Sequence, residues 1–103
     1  MNIIELTKEN FKESVKEGVS VVDFWAPWCS PCNMMTPILE NLSKEATNFK
    51  VFKVNVDQEQ ELGVEFNIMS IPCLKIIKDG EVKEEIIGLT SKEMILNVLK
   101  TLI

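Results

Sequence analysis

The segment Val22-Asp23-Phe24-Trp25-Ala26-Pro27-Trp28-Cys29-Ser30-Pro31-Cys32 changes character along its length. It opens inside an apolar, β-branched and aromatic run, Val19 to Trp25, with little alternation, as expected for a strand buried on both faces of a sheet. Ala26-Pro27-Trp28 breaks that run. A helix should begin at about Cys29 to Pro31, because proline is tolerated in a first turn. Two cysteines at this spacing, where a strand gives way to a helix, can close a disulfide within one turn. Backbone N–H groups and the helix dipole favour negative charge at that end, so Cys29 should be rich in thiolate. Cys32 could then displace it from a mixed disulfide. The competing reading is half of a zinc site. A four-cysteine site needs a second pair, and only Cys73 remains in a chain without histidine.

Outward from this segment, strand and helix signals alternate. Ile3 to Leu6 is a short apolar run followed by Thr7, a candidate helix N-cap. Phe11 and Val15 lie four apart in a charged helix expected to stop at Gly18. Beyond the cysteines, Met35, Ile38, Leu39, Leu42 and Ala46 follow helical spacing, with Pro37 expected to kink the helix by removing a hydrogen bond. Val51 to Val56 reads as a second buried strand and Glu59 to Phe66 as a short helix. Ser70-Ile71-Pro72 interrupts the chain before a strand from Cys73 to Lys78. Asp79-Gly80 is a hairpin signal, so Glu81 to Ile87 should return antiparallel. Thr90-x-x-Glu93 reads as a capping box for a last helix with Met94, Ile95, Val98, Leu99 and Leu102 on one stripe. The order βαβαβαββα predicts an α/β fold, one mixed sheet flanked by helices, in a single domain over residues 1–103.

Composition narrows the chemistry. The chain has 103 residues, of which 46% are hydrophobic and 26% charged, the balance of an ordinary globular domain. Eleven basic residues, all lysine, face 16 acidic ones for a net charge of −5, which argues against a nucleic-acid partner. Without arginine there is no bidentate clamp for phosphate or carboxylate. The absence of histidine excludes Ser-His and Cys-His nucleophile pairs and a Cys-x-x-Cys-His haem attachment. Tyrosine is absent as well, so catalysis falls to cysteine, carboxylate, lysine or a borrowed metal. Three cysteines are too few and wrongly spaced for a secreted disulfide scaffold. The opening Met-Asn-Ile-Ile-Glu-Leu does not read as a signal peptide, and no apolar run approaches a membrane span. A cytoplasmic location is expected.

The Val22–Cys32 segment, followed by Ile71-Pro72 and Lys78-Asp79-Gly80, resembles the thioredoxin family. The resemblance runs in the same order over essentially the whole chain and includes Lys53, Asp57 and Gly88. It implies the thioredoxin fold: a central mixed five-stranded β-sheet flanked by four α-helices. It also implies reduction of protein disulfides through a redox-active Cys29–Cys32 pair, with no other cofactor or metal, and re-reduction by a thioredoxin reductase.

Asp23 lies in an apolar stretch where an isolated charge is costly. The resemblance makes it the buried carboxylate behind the dithiol, with a raised pKa, relaying a proton to or from Cys32. Lys53 would modulate that carboxylate; a strand lysine with its tip in water is an equal alternative. The resemblance also implies a cis peptide bond before Pro72. The Ile71 backbone would then hydrogen-bond an extended substrate by strand addition, and Trp28, Pro27, Ile71 and Gly88 would form an apolar rim around Cys29. Trp25 is assigned to structure, and Met34-Met35 to helix packing, with Met34 available for recognition if exposed.

Two positions depart from the family pattern. Ser30 replaces the usual glycine between the cysteines and is expected to tune the reduction potential, whereas the retained Pro31 argues against a strongly oxidising dithiol. Cys73 replaces the usual threonine after the loop proline. Pointing inward it would be an inert hydrophobe; pointing to the site it could trap Cys29 or Cys32, or ligate a soft metal. The leading reading is a monomeric protein-disulfide reductase. Its rivals are a disulfide oxidase or isomerase of the same fold, a non-catalytic binding module, and a metal carrier using the three cysteines. The sequence names neither the physiological substrates nor the reductase.

Overall fold

A computed structural model describes residues 3–103, so Met1 and Asn2 of the segment read above for a leader lie outside the described residues. The elements follow the expected order: β1 (Ile4–Glu5), α1 (Phe11–Ser14), β2 (Val19–Trp25), α2 (Ser30–Lys44), β3 (Lys50–Asn55), α3 (Gln60–Glu65), β4 (Cys73–Lys78), β5 (Glu81–Ile87) and α4 (Lys92–Leu99). The strands form one sheet in the order β1-β3-β2-β4-β5. β1 and β2 pair parallel with β3, while β4 runs antiparallel to both β2 and β5. This is the mixed five-stranded sheet with four helices that the resemblance implied.

β2 is central because its side chains have apolar partners on both faces. Val22 and Phe24 join Leu6, Phe11, Val15, Phe52, Val54, Leu62, Cys73 and Ile77 in one core. Val19 and Val21 join Met35, Leu39 and Leu42 of α2 and Ile95 and Leu99 of α4 in the other. The alternation follows from the two-residue period of a strand. Asp23 shares the parity of Val19 and Val21 and therefore lies on the face covered by α2. At the far end of the sheet, Asp79 and Gly80 both take positive φ, 50° and 86°. Those are the values a two-residue hairpin turn demands, and glycine meets the second without a Cβ penalty.

Several local expectations shift. The last helix is capped by Ser91, whose side chain accepts from the Met94 backbone N–H, and not by Thr90. The two hydroxyl residues are adjacent, and the one whose oxygen reaches the third residue of the helix prevails. Met94 is exposed, so the apolar stripe is carried by Ile95 and Leu99. Thr7 does not cap the first helix through its side chain; the Asn10 side chain reaches back to the Thr7 N–H at 2.8 Å. α2 continues through Pro37 and ends at Lys44, leaving Ala46 outside it. Of the two methionines, Met35 is fully buried and Met34 is exposed.

Candidate active site

The chain leaves β2 at Trp25 and turns into α2 within four residues, which sets Cys29 at the helix N-cap. The turn is held by the Cys29 N–H donating to the Ala26 carbonyl at 3.2 Å and by the Asn33 side-chain amide donating to the Pro27 carbonyl at 3.2 Å. Cys29 and Cys32 form a disulfide with their Cα atoms 5.2 Å apart. The Cys32 N–H points at the Cys29 sulfur, 3.2 Å away, in the place where a capping oxygen would accept. Ser30 and Pro31 occupy the first two helical positions and are exposed. No acidic side chain stands in this first turn, so nothing there opposes negative charge on sulfur.

Around the disulfide, Ala26, Cys29 and Cys32 form a small cluster with Trp25, Val56 and Ile71 packed against it. The Ile71–Pro72 peptide bond is cis. The Ile71 carbonyl oxygen lies 3.8 Å from the Cys29 sulfur. Gly88 follows β5 with φ of 90°, a conformation that side chains rarely adopt, and its N–H donates to the Pro72 carbonyl at 2.8 Å. Trp28 is 70% exposed and its Nε1 donates to the Asp57 carboxylate at 2.9 Å. That bond spans the gap between the β2–α2 turn and the β3–α3 loop and fixes the indole at the edge of the dithiol. Pro27 is exposed beside it. The hydrogen bond from Trp28 to Asp57 has no signature in local sequence, because the residues meet only through the parallel pairing of β2 with β3.

Asp23 is 1% exposed, and neither of its oxygens has a hydrogen-bond partner. Burial pushes its pKa up from 3.8 to about 7, against the pull of the Lys53 ammonium and with a further push from Glu5. Lys53 stands directly across the β2–β3 pairing from Asp23, half-buried, with Nζ 4.2 Å from the centroid of the Trp25 ring. Its tip therefore packs on an indole and does not extend freely into water.

Cys73 is a free, buried thiol. It sits opposite Phe24 in the core beneath α1 and α3, apart from the Cys29–Cys32 cluster, and burial raises its pKa. Of the two orientations the sequence left open, the inward one is found. Among the described residues, no group of three or more His, Cys, Asp or Glu side chains is placed to hold a metal ion, and Cys73 does not join the dithiol as a third ligand.

The thioredoxin family model matches residues 2–101. The chain is 45% identical over 94 residues to the thioredoxin of Bacillus subtilis, covering 90% of each chain. It is 40% identical over 100 residues to that of Staphylococcus haemolyticus, with 96% of each covered. It is 46% identical over 90 residues to that of Listeria monocytogenes, covering 86% of this chain and 87% of the other. The chain belongs to the thioredoxin family.

As a thioredoxin-family member with a Cys29–Cys32 disulfide, it is a dithiol protein-disulfide reductase. Family membership implies disulfide-containing protein substrates and a thioredoxin reductase as partners. Among the described residues, no helix is long and apolar enough to cross a membrane.

Proposed function

We propose that the reaction begins with the Cys29 thiolate attacking one sulfur of a substrate disulfide. A Cys29–substrate bond forms and the other substrate sulfur leaves as a thiolate. Cys32 then gives its proton to the Asp23 carboxylate and attacks the Cys29 sulfur. The Cys29–Cys32 bond forms, the second substrate sulfur leaves, and two electrons have passed from the dithiol to the substrate. The observation that carries this assignment is the Cys32 N–H aimed at the Cys29 sulfur at the start of a 15-residue helix, an arrangement that stabilises charge on Cys29.

A carboxyl with a pKa of about 7 is divided between its two forms at neutral pH, so it can both take and return a proton. Asp23 accepts no hydrogen bond, so its carboxylate is free to take the Cys32 proton, directly or through water. Lys53 limits how far that pKa rises. The substrate lies as an extended segment on the rim formed by Trp28, Pro27, Ile71 and Gly88, with the Ile71 backbone beside Cys29 as its strand-addition edge and Pro72 packed below. Ser30 tunes the potential by its position in the first helical turn. The working protein is a cytoplasmic monomer, a single domain over residues 1–103, with no cofactor beyond its own disulfide. The test is reduction of insulin disulfides by dithiothreitol, which the protein should accelerate. Its own potential should lie below about −200 mV, whereas an oxidase-type dithiol sits near about −120 mV. No acceleration would make it a binding module.

Cys73 should take no part. Cys73→Thr is expected to keep most of the reductase activity, and mass spectrometry of the oxidised protein should find Cys29 linked to Cys32 with Cys73 free. A substantial Cys73-linked disulfide in the native monomer would show that the buried thiol exchanges with the site.

A further inference from the structure

A row of charges crosses the sheet on the face that carries Asp23, and Glu5 belongs to it. Glu5 of β1 is in register with Lys53 of β3, and Lys53 with Asp23 of β2. Partners directly in register project from the same face, so carboxylate, ammonium and buried carboxyl stand in line. Trp25 lies two residues beyond Asp23 on the same face and ties the line together. Its Nε1 donates to Glu5 Oε1 at 3.3 Å, and its ring carries the Lys53 ammonium. Among the described residues, the charges that act on Asp23 are those of Lys53 and Glu5. Leu74 is the partner of Asp23 on β4, and the Cys73 thiol, on the opposite face of the sheet, is held neutral by burial.

We propose that Glu5 is a positioning residue for thiol–disulfide exchange: its carboxylate competes with Asp23 for the Lys53 ammonium and so keeps Asp23 able to carry a proton at neutral pH. This rests on the reading of Asp23 as proton relay. Glu5 acts through its charge: a negative charge there disfavours a second one at Asp23, whereas its hydrogen bond with Trp25 only holds the indole on which Lys53 rests. Asp23 accepts no hydrogen bond, so burial and these through-space charges set its ionisation.

The test is Glu5→Gln, in which the amide oxygen still accepts from Trp25 Nε1 while the charge is gone. The Asp23 carboxyl carbon is followed by NMR across pH in the oxidised protein, and insulin reduction across pH in the working one. In Glu5→Gln the Asp23 midpoint should fall by about half a pH unit, and the exchange profile should move to lower pH with it. Glu5 is exposed, so 1 M salt should shrink the difference. An unmoved midpoint in Glu5→Gln, with a change only in Glu5→Leu, would reduce Glu5 to an anchor for Trp25 and overturn the proposal. A shifted midpoint with an unshifted exchange profile would overturn the Asp23 relay, and with it any part for Glu5 in the reaction.

Discussion

Replacing Cys29 with serine is expected to drop insulin reduction to the protein-free rate, whereas Cys32→Ser should complete the first chemical step and stop there. The asymmetry follows from helix geometry. Cys29 is the N-cap of α2, and its sulfur faces the Cys32 N–H at 3.2 Å. In the reduced protein that donor and the helix dipole stabilise the Cys29 thiolate, an effect of about 1 kcal/mol or somewhat more in a partly buried setting. Cys32 lies one turn inside the helix and is 2% exposed, so burial opposes charge on its sulfur. A serine hydroxyl at position 29 does not ionise near neutral pH, so no nucleophile remains. With serine at position 32 the nucleophile survives but the Cys29–substrate bond cannot be resolved from within. Covalent adducts should therefore accumulate and be released by dithiothreitol, and mass spectrometry of the trapped species identifies the substrates. Iodoacetamide should label Cys29 before Cys32 in the reduced wild type at neutral pH; the reverse order would overturn the assignment.

Wherever the determining interactions are local, the sequence announces the structure. The apolar run Val19–Trp25 becomes the central strand, and Asp79-Gly80 becomes a two-residue hairpin, because burial on both faces and positive φ each leave a compositional mark. The dithiol is legible for the same reason: spacing of three at a strand-to-helix junction is itself the geometry. Less legible are choices between near-equal neighbours, such as Ser91 over Thr90 as the helix cap. The direction of Cys73 is hidden by burial of both faces of β4, since a strand without polar alternation gives no phase. Interactions between strands distant in sequence are hidden most deeply. Trp28 with Asp57, and Glu5 with Lys53 and Asp23, depend on parallel register that no local pattern encodes.

Asp23→Ala is expected to give the largest change in stability, and its sign depends on pH. The folded protein holds the Asp23 pKa at about 7 against an ordinary value of 3.8, chiefly through burial. A carboxyl raised in this way binds more protons folded than unfolded between those two values, so its contribution is fully favourable below about pH 3.8 and is lost as pH rises through about 7. Roughly three pKa units at about 1.36 kcal/mol each make the cost of the buried anion about 4 kcal/mol once it is complete. Alanine removes that cost but leaves a smaller side chain under α2, which returns about 1–2 kcal/mol as lost packing. Compared in their oxidised forms by urea unfolding, Asp23→Ala should thus be the more stable protein above pH 8, by about 2–3 kcal/mol. The advantage should vanish or reverse near pH 4. Other carboxylates titrate alike in both proteins and cancel in the difference. The same variant should lose the limb of the exchange profile that titrates near pH 7 and react more slowly, because the proposed proton acceptor of Cys32 is gone. A stability difference that stays constant from pH 4 to pH 9 would mean that Asp23 does not titrate in the folded protein within that range, and the relay would fall with it.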